Sequence, residues 1–172
     1  MKSLIKSLVI VLVTAAVVHL AVILSAPNLL MAVAFKRLSA GGKMVNHMIH
    51  PPRTTEASRA IVRPSPDLAY SSCAYDLSKG PVRVKAAKAT DYMSVSVYAA
   101  NSDNIFAIND RQAPNGVDLV IVGKGQAAPA GTAIVVQSPT QRGIVLERRL
   151  APSAEAFAAA ELARKQDVCA PL

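Results

Sequence analysis

The chain has 172 residues, of which 52% are hydrophobic, 17% are charged and 4% are aromatic, with no Trp. This composition excludes a disordered protein, a collagen-like repeat and a disulfide-rich scaffold. The net charge of +8 is concentrated in residues 1–66, which carry +7, whereas residues 67–172 carry +1. A domain that binds nucleic acid carries the basic residues that contact the phosphates. Because residues 67–172 are nearly neutral, we expect no nucleic-acid partner.

The first predicted element is an apolar segment, Leu8 to Ala26, of 19 residues without a charged side chain. As a helix it spans about 28 Å, close to the ~30 Å hydrocarbon thickness of a bilayer. Apolar residues continue past Pro27 to Phe35, so residues 8–35 are predicted to be a transmembrane anchor in contact with membrane lipid. The run is too long for one upright span and is expected to tilt or to break near Pro27. The alternative is a secretory signal cleaved after Ala26.

The orientation of this anchor is predicted from its flanking charges. Lys2 and Lys6 on one side are balanced by basic residues on the other, so the positive-inside count is a tie. A short basic tail ahead of a first span normally stays in the cytoplasm, and a far-spaced cysteine pair suits an oxidising compartment. We therefore expect residues 1–7 to be a cytoplasmic tail of a single-pass inner-membrane protein with a periplasmic C-terminal domain.

Residues 36–66 are predicted to be a basic juxtamembrane linker, because glycines and prolines interrupt any long helix. Within it, residues 44–50 contain two Met and two His, which are ligand types for Cu(I). Their spacing fits no compact motif, and the alternative is an amphipathic patch against lipid, so no metal site or cofactor is expected.

All three histidines (His19, His47 and His50) precede residue 67, which predicts a domain without a catalytic imidazole.

Residues 67–172 are predicted to form a β-rich domain. Short apolar or alternating runs separated by turn residues indicate strands near residues 81–86, 91–98, 105–108, 117–122, 132–137 and 143–148. A C-terminal α-helix is expected from the cap Ser153 to Lys165. This order is typical of an antiparallel β-sandwich or jelly-roll-like domain.

Three segments of this domain carry a resemblance to a known family. They are residues 70–82, with Asp-Leu-Ser-Lys-Gly-Pro at 76–81, residues 91–95 (Asp-Tyr-Met-Ser-Val), and residues 101–104 (Asn-Ser-Asp-Asn). They are similar in order and spacing to the bacterial domain of unknown function 1254 family, over roughly residues 67–165. The resemblance implies a jelly-roll-type β-sandwich and no established reaction. Since family members often carry a second domain, a separately encoded partner domain is expected in the cell envelope.

The polar side chains of these segments are the candidate ligand-site residues: Asp76, Lys79, Tyr92, Asn101 and Asp103. The sequence contains no constellation that predicts a catalytic residue, a cofactor site or a metal site. The predicted function is therefore binding or assembly in the cell envelope. The alternative is an envelope enzyme that acts on saccharide or lipid through carboxylates at strand edges.

The two cysteines are a candidate disulfide. Cys73 lies in the first predicted strand region, and Cys169 follows the C-terminal helix. A bond between them would close a loop of about 95 residues and tie the C-terminal segment to the sheet. The alternative is a small buried Cys73 in the core and a free Cys169.

Overall fold

The computed structural model describes residues 2–59, 61, 63–88 and 90–172, and it begins with one long helix, α1 (Lys2–Leu38). Thirty-seven residues give a helix about 55 Å long. The helix is continuous through Pro27. The sequence predicted either a tilted helix or a break near Pro27, and the break is not found. Ser25 Oγ donates to Ala21 O at 2.6 Å, in the helical turn before the proline.

Helix α1 leaves nearly all of its apolar surface uncovered. Among its described residues, only Ala34 is buried, and large apolar side chains are exposed from Leu4 to Val33. The helix is long and apolar enough to cross a membrane, and it is the one such helix in the described part of the chain. An N-terminal signal sequence has the same properties. The structure thus agrees with a membrane anchor or a signal sequence.

The described residues after α1 form two four-stranded sheets. The strands are β1 (Leu68–Asp76), β2 (Val82–Ala87), β3 (Met93–Ala99), β4 (Asn104–Asn109), β5 (Gly116–Val122), β6 (Ile134–Gln137), β7 (Arg142–Leu150) and β8 (Val168–Pro171). The first sheet has the order β1-β7-β3-β4, and the second has the order β6-β5-β2-β8. The predicted mainly β class is confirmed.

The second sheet differs from the purely antiparallel prediction. Strands β5 and β6 are parallel, with Leu119 opposite Ile134. Residues 123–133 carry the chain back to the same end of the sheet before β6 begins, which is longer than a hairpin and close to the length of a crossover connection. The sheet is therefore mixed.

Both sheets contribute side chains to one hydrophobic core. In β2 the burial alternates, since Val82, Val84 and Ala86 are buried while Arg83 and Lys85 remain partly exposed. This confirms the period-two pattern predicted for that segment. The fully buried core residues of the other strands include Cys73, Tyr75, Val95, Val97, Leu119, Ile121 and Val145.

The C-terminal helix α2 (Ala154–Arg164) has the predicted bounds. The hydroxyl of Ser153 accepts a hydrogen bond from Ala156 N at 3.1 Å, as expected of an N-cap. Its residues Phe157 and Ala160 pack against Ala69 near the start of β1. Strand β8, which follows α2 and pairs with β2, was not predicted.

Part of the predicted linker is attached to the β-rich domain. Asn46 Nδ2 donates to Asp76 O at 2.9 Å, and Asp76 N donates back to Asn46 Oδ1 at 2.7 Å. Val45 and Ile49 form isolated bridges with β1. These contacts cover the outer edge of the first sheet, which would otherwise present unpaired backbone groups.

Gly143 is required for close packing near the start of β7, an inner strand of the first sheet. A Cβ at this position would lie 2.1 Å from Tyr98 O and 2.3 Å from Tyr75 Oη. Tyr75 Oη donates to Tyr98 O at 3.0 Å and is 3.0 Å from Ser138 Oγ, so it has little freedom to move. We expect Gly143→Ala to lower the free energy of unfolding by about 3 kcal/mol, as measured by urea denaturation.

Gly123→Ala is the matched control for this substitution. Its added Cβ would meet first the flexible side chain of Gln126, at 3.3 Å. This control is expected to cost less than about 1 kcal/mol. Equal losses for the two variants would contradict the packing argument.

Candidate functional site

A cavity of about 610 Å³ lies between the C-terminal part of α1 and one end of the first sheet. We call it the anchor cavity. Helix α1 contributes Asn28, Met31, Ala32, Phe35 and Lys36, whose spacing of three and four residues places them on one helix face. The rest of the lining is Ser39, Gly41, Gly42, Val45, Ala100, Arg142 and Gly143. The lining thus combines apolar side chains with two cations.

Arg142, at the start of β7, links the β-rich domain to the anchor helix. Its Nε donates to Asp76 Oδ2 at 2.6 Å, and its Cζ lies 5.6 Å from the centroid of the Phe35 ring. The Arg142 side chain is 63% exposed. Burial opposes ionisation of Asp76, but hydrogen bonds from Arg142 and Ser78 outweigh it and lower the pKa of this carboxyl. Asp76 is therefore ionised and forms an ion pair with the Arg142 guanidinium.

The turn between β3 and β4 touches α1 directly. Ser102 Oγ donates to Pro27 O at 2.8 Å. On either side of it, Asn101 Nδ2 donates to Asp103 Oδ2 at 2.6 Å, which stabilises the turn internally. The turn follows Ala100, a lining residue of the anchor cavity. In the structure this contact places the β3–β4 turn beside Pro27 of the helix.

The five predicted ligand-site residues do not form one site. Asp76, Asn101 and Asp103 lie at the end of the first sheet that faces α1. Lys79 lies in an exposed turn after β1 and does not line the anchor cavity. Tyr92 lies at the opposite end of the sheet, where its carbonyl accepts from Leu150 N.

A second polar cluster is buried beneath α2. We call it the ion cluster; its members are Glu147, Arg149, Arg164 and Asp167. Arg149 Nη2 lies 2.5 Å from Glu147 Oε1 and 2.9 Å from Asp167 Oδ1. Arg149 Nη1 also donates to Ala87 O at 2.9 Å. The cluster ties β7, β2 and the segment before β8 together.

Glu147 is the least satisfied member of the ion cluster. Neither of its carboxyl oxygens accepts a hydrogen bond within the described residues, although Arg149 is close. Burial, together with the neighbouring Asp167 carboxyl, raises the pKa of Glu147 to about 8. Glu147 is therefore mainly protonated at neutral pH.

His50 lies against the β-rich domain although it precedes residue 67 in the chain. His50 Nδ1 lies 3.0 Å from Ser71 Oγ on β1, because residues 45–51 follow the edge of that strand. Ser71 is fully buried, so this pair cannot present a nucleophile to a substrate. His47 instead contacts Val45 O, and the described residues hold no group of three His, Cys, Asp or Glu that could bind a metal.

The remaining strand-edge aspartates are engaged in structural contacts. Asp118 accepts hydrogen bonds from Arg83 Nε and Nη2 at 2.8 and 2.6 Å, and these bonds lower the pKa of Asp118. Asp110 accepts from Met93 N at 3.2 Å. A general acid in a glycosidase-type pair needs a raised pKa, which neither Asp76 nor Asp118 has.

Comparison with solved structures finds the same fold in two longer bacterial proteins. The VPA0106 protein from Vibrio parahaemolyticus matches with a TM-score of 0.69 and 15% identity, over 88% of this chain and 37% of that one. An uncharacterised protein from Burkholderia cenocepacia matches with a TM-score of 0.50 and 14% identity, over 70% and 35%. The chain thus spans little more than a third of either protein. No curated protein matches it.

The family comparison covers most of the chain. The model described as "Protein of unknown function (DUF1254)" matches residues 45–171. This range contains all eight described strands and α2, and it begins at Val45, where the chain joins the edge of β1. The chain belongs to the DUF1254 family.

Proposed function

We propose that this protein is a single-pass inner-membrane protein whose periplasmic β-rich domain acts by binding in the cell envelope, not by catalysis. The observation that carries the proposal is the anchor cavity. It is built jointly by α1 and the domain, and its cations and apolar side chains form a concave surface typical of ligand sites. The hydrogen bond from Ser102 to Pro27 O joins the domain to α1 beside this cavity.

We also propose that the two sheets stack as a jelly-roll-type sandwich and that a separately encoded domain completes the assembly. Support for the sandwich comes from the single core shared by both sheets. The two longer structures, of which this chain matches 37% and 35%, show that this fold occurs together with further protein.

An envelope enzyme is the less supported function. Asp76 and Asp118 are ion-paired with arginines, and Asp110 accepts a hydrogen bond from a backbone N–H. The imidazole of His50 contacts a buried hydroxyl. These contacts stabilise the fold and leave no activated nucleophile or base among them.

The proposal predicts the location of the domain. An alkaline phosphatase fused after residue 66 should be active, since this reporter requires export, and a cytoplasmic fluorescent reporter at the same position should be dark. The matched control is the same pair of fusions without residues 1–35, for which the pattern should reverse. The full chain should stay with membranes in high salt and in carbonate.

The same preparation tests binding. Purified in mild detergent, the full chain should retain a stoichiometric protein or envelope ligand. An active cytoplasmic reporter, a chain cleaved after Ala26 and released from membranes, or a preparation that holds neither ligand nor partner would each overturn the proposal.

A further inference from the structure

The contact between the β3–β4 turn and α1 locates the membrane surface. Asp103 is exposed and lies next to Ser102, which donates to Pro27 O. A charged turn is not tolerated in hydrocarbon, so the hydrocarbon layer must end before Pro27. This leaves residues 8–26, about 28 Å of helix, to fill it.

The anchor cavity consequently begins at the headgroup layer. Asn28 lies about 3 Å beyond Ala26 along the helix axis, and Lys36 lies about 15 Å beyond it. Helical side chains lean toward the N-terminus, so the long Lys36 side chain leans back toward the membrane. The mouth of the cavity therefore opens where lipid phosphates are found.

We propose that the anchor cavity binds one anionic phospholipid from the surrounding bilayer, with its phosphate between Lys36 and Arg142 and its glycerol and upper acyl chain against Met31 and Ala32. This inference rests on the proposed membrane anchoring. Arginine is suited to this role because its planar guanidinium forms paired hydrogen bonds with phosphate oxygens. Asp76 engages the Nε of Arg142, and the structure gives its two Nη groups no hydrogen bond within the described residues.

Charge complementarity selects an anionic lipid over a neutral one. Lys36 and Arg142 line the cavity, and the carboxylate of Asp76, which is paired with Arg142, neutralises a single positive charge. The apolar side chains of Met31, Ala32 and Phe35 continue from these cations toward the membrane-spanning part of α1. A free phosphate would use the cations alone, whereas a phospholipid would use both parts of the lining.

The experiment labels the full chain in phosphatidylcholine vesicles that contain phosphatidylglycerol with a photoreactive group in its upper acyl chain. Labelled peptides are mapped by mass spectrometry. Labels are expected on the lining residues Asn28, Met31, Ala32, Phe35, Lys36, Arg142 and Gly143, in excess over the opposite face of α1 at Leu29, Leu30 and Val33. Lys36→Gln should reduce the cavity labelling about fivefold. Ala32→Trp should reduce it similarly without a change of charge.

Lys43→Gln is the matched control, because Lys43 is an exposed juxtamembrane cation outside the lining. Its labelling should change less than twofold. Uniform labelling around α1, or equal effects of Lys36→Gln and Lys43→Gln, would overturn the inference. Displacement of the label by inorganic phosphate would identify a soluble phosphate site and would overturn the lipid assignment. A chain released from the vesicles by high salt would instead overturn the membrane anchoring.

Discussion

Replacement of both cysteines by alanine is expected to lower the free energy of unfolding by about 4–5 kcal/mol. In the structure Cys73 on β1 and Cys169 on β8 form a disulfide across a sequence separation of 96 residues. In the chain-entropy model, so long a loop gives a large stabilisation, because the bond restricts the unfolded chain. The bond also joins the two sheets, since β1 belongs to the first and β8 to the edge of the second.

The measurement is a urea titration of the full chain in detergent, followed by circular dichroism. Reduced wild-type protein is the control, because reduction removes the bond without removing the two sulfur atoms from the core. The reduced protein and the double variant should unfold at similar urea concentrations, both well below oxidised wild type. Two free thiols in protein isolated from its native compartment would contradict both the bond and the periplasmic location.

The second large effect concerns Glu147 and pH. We expect the free energy of unfolding of the wild-type protein to fall as pH rises from about 5 to 9, and to fall much less in Glu147→Gln. The pKa of Glu147 is raised in the folded state from 4.5 to about 8. The folded protein therefore binds more protons than the unfolded chain between these values. The stabilisation is complete below pH 4.5 and is lost as pH rises through about 8.

The size of this effect follows from the same values. A shift from 4.5 to about 8 corresponds to at most about 5 kcal/mol. Glutamine keeps the shape of the protonated carboxyl but cannot ionise beside Asp167. The variant should therefore be the more stable protein at pH 9 and close to wild type at pH 5, as measured by thermal or urea unfolding across that range.

His50 provides the control for the pH experiment. Burial lowers the pKa of His50 below 6.5, so its protonation destabilises the folded state only at acidic pH. Arg149 and Arg164 also lower this pKa, whereas Asp167 raises it. His50→Gln should alter stability below about pH 6.5 and leave the slope above pH 7 unchanged. A Glu147→Gln variant with the wild-type slope would contradict the raised pKa of Glu147.

Local patterns in the sequence predicted many of the strands and the C-terminal helix. The alternation in residues 81–86 and 91–98 predicted two strands. In β2 every second residue is buried as predicted, whereas β3 is buried on both faces. Ser153 and Glu155 predicted the start of α2. In β7, Glu147 and Arg149 share the face of buried Val145. The consecutive apolar residues 144–146 do not show from the sequence which face is inward, so these buried charges were not predicted.

The remaining features depend on contacts between distant segments. Strand β8 is only four residues long and is fixed by pairing with β2, about 85 residues earlier in the chain. The anchor cavity requires residues 28–45 to meet residues 100 and 142–143. No local sequence pattern shows which distant segments come into contact. The ligand-site residues were therefore predicted from short segments, and the fold places these residues apart.

The strand order of the first sheet has a consequence for biogenesis. Strand β7 lies between β1 and β3, yet both of these neighbours precede it in the chain. At a synthesis rate of 5–20 residues per second, β1 waits about 4–15 s for its partner. During that interval β3 and β4 can form a hairpin, whereas β1 has only residues 45–49 beside it and lacks its partner on the other edge. The domain thus matures only after most of it has left the ribosome, and a chaperone that shields β1 would act in this window.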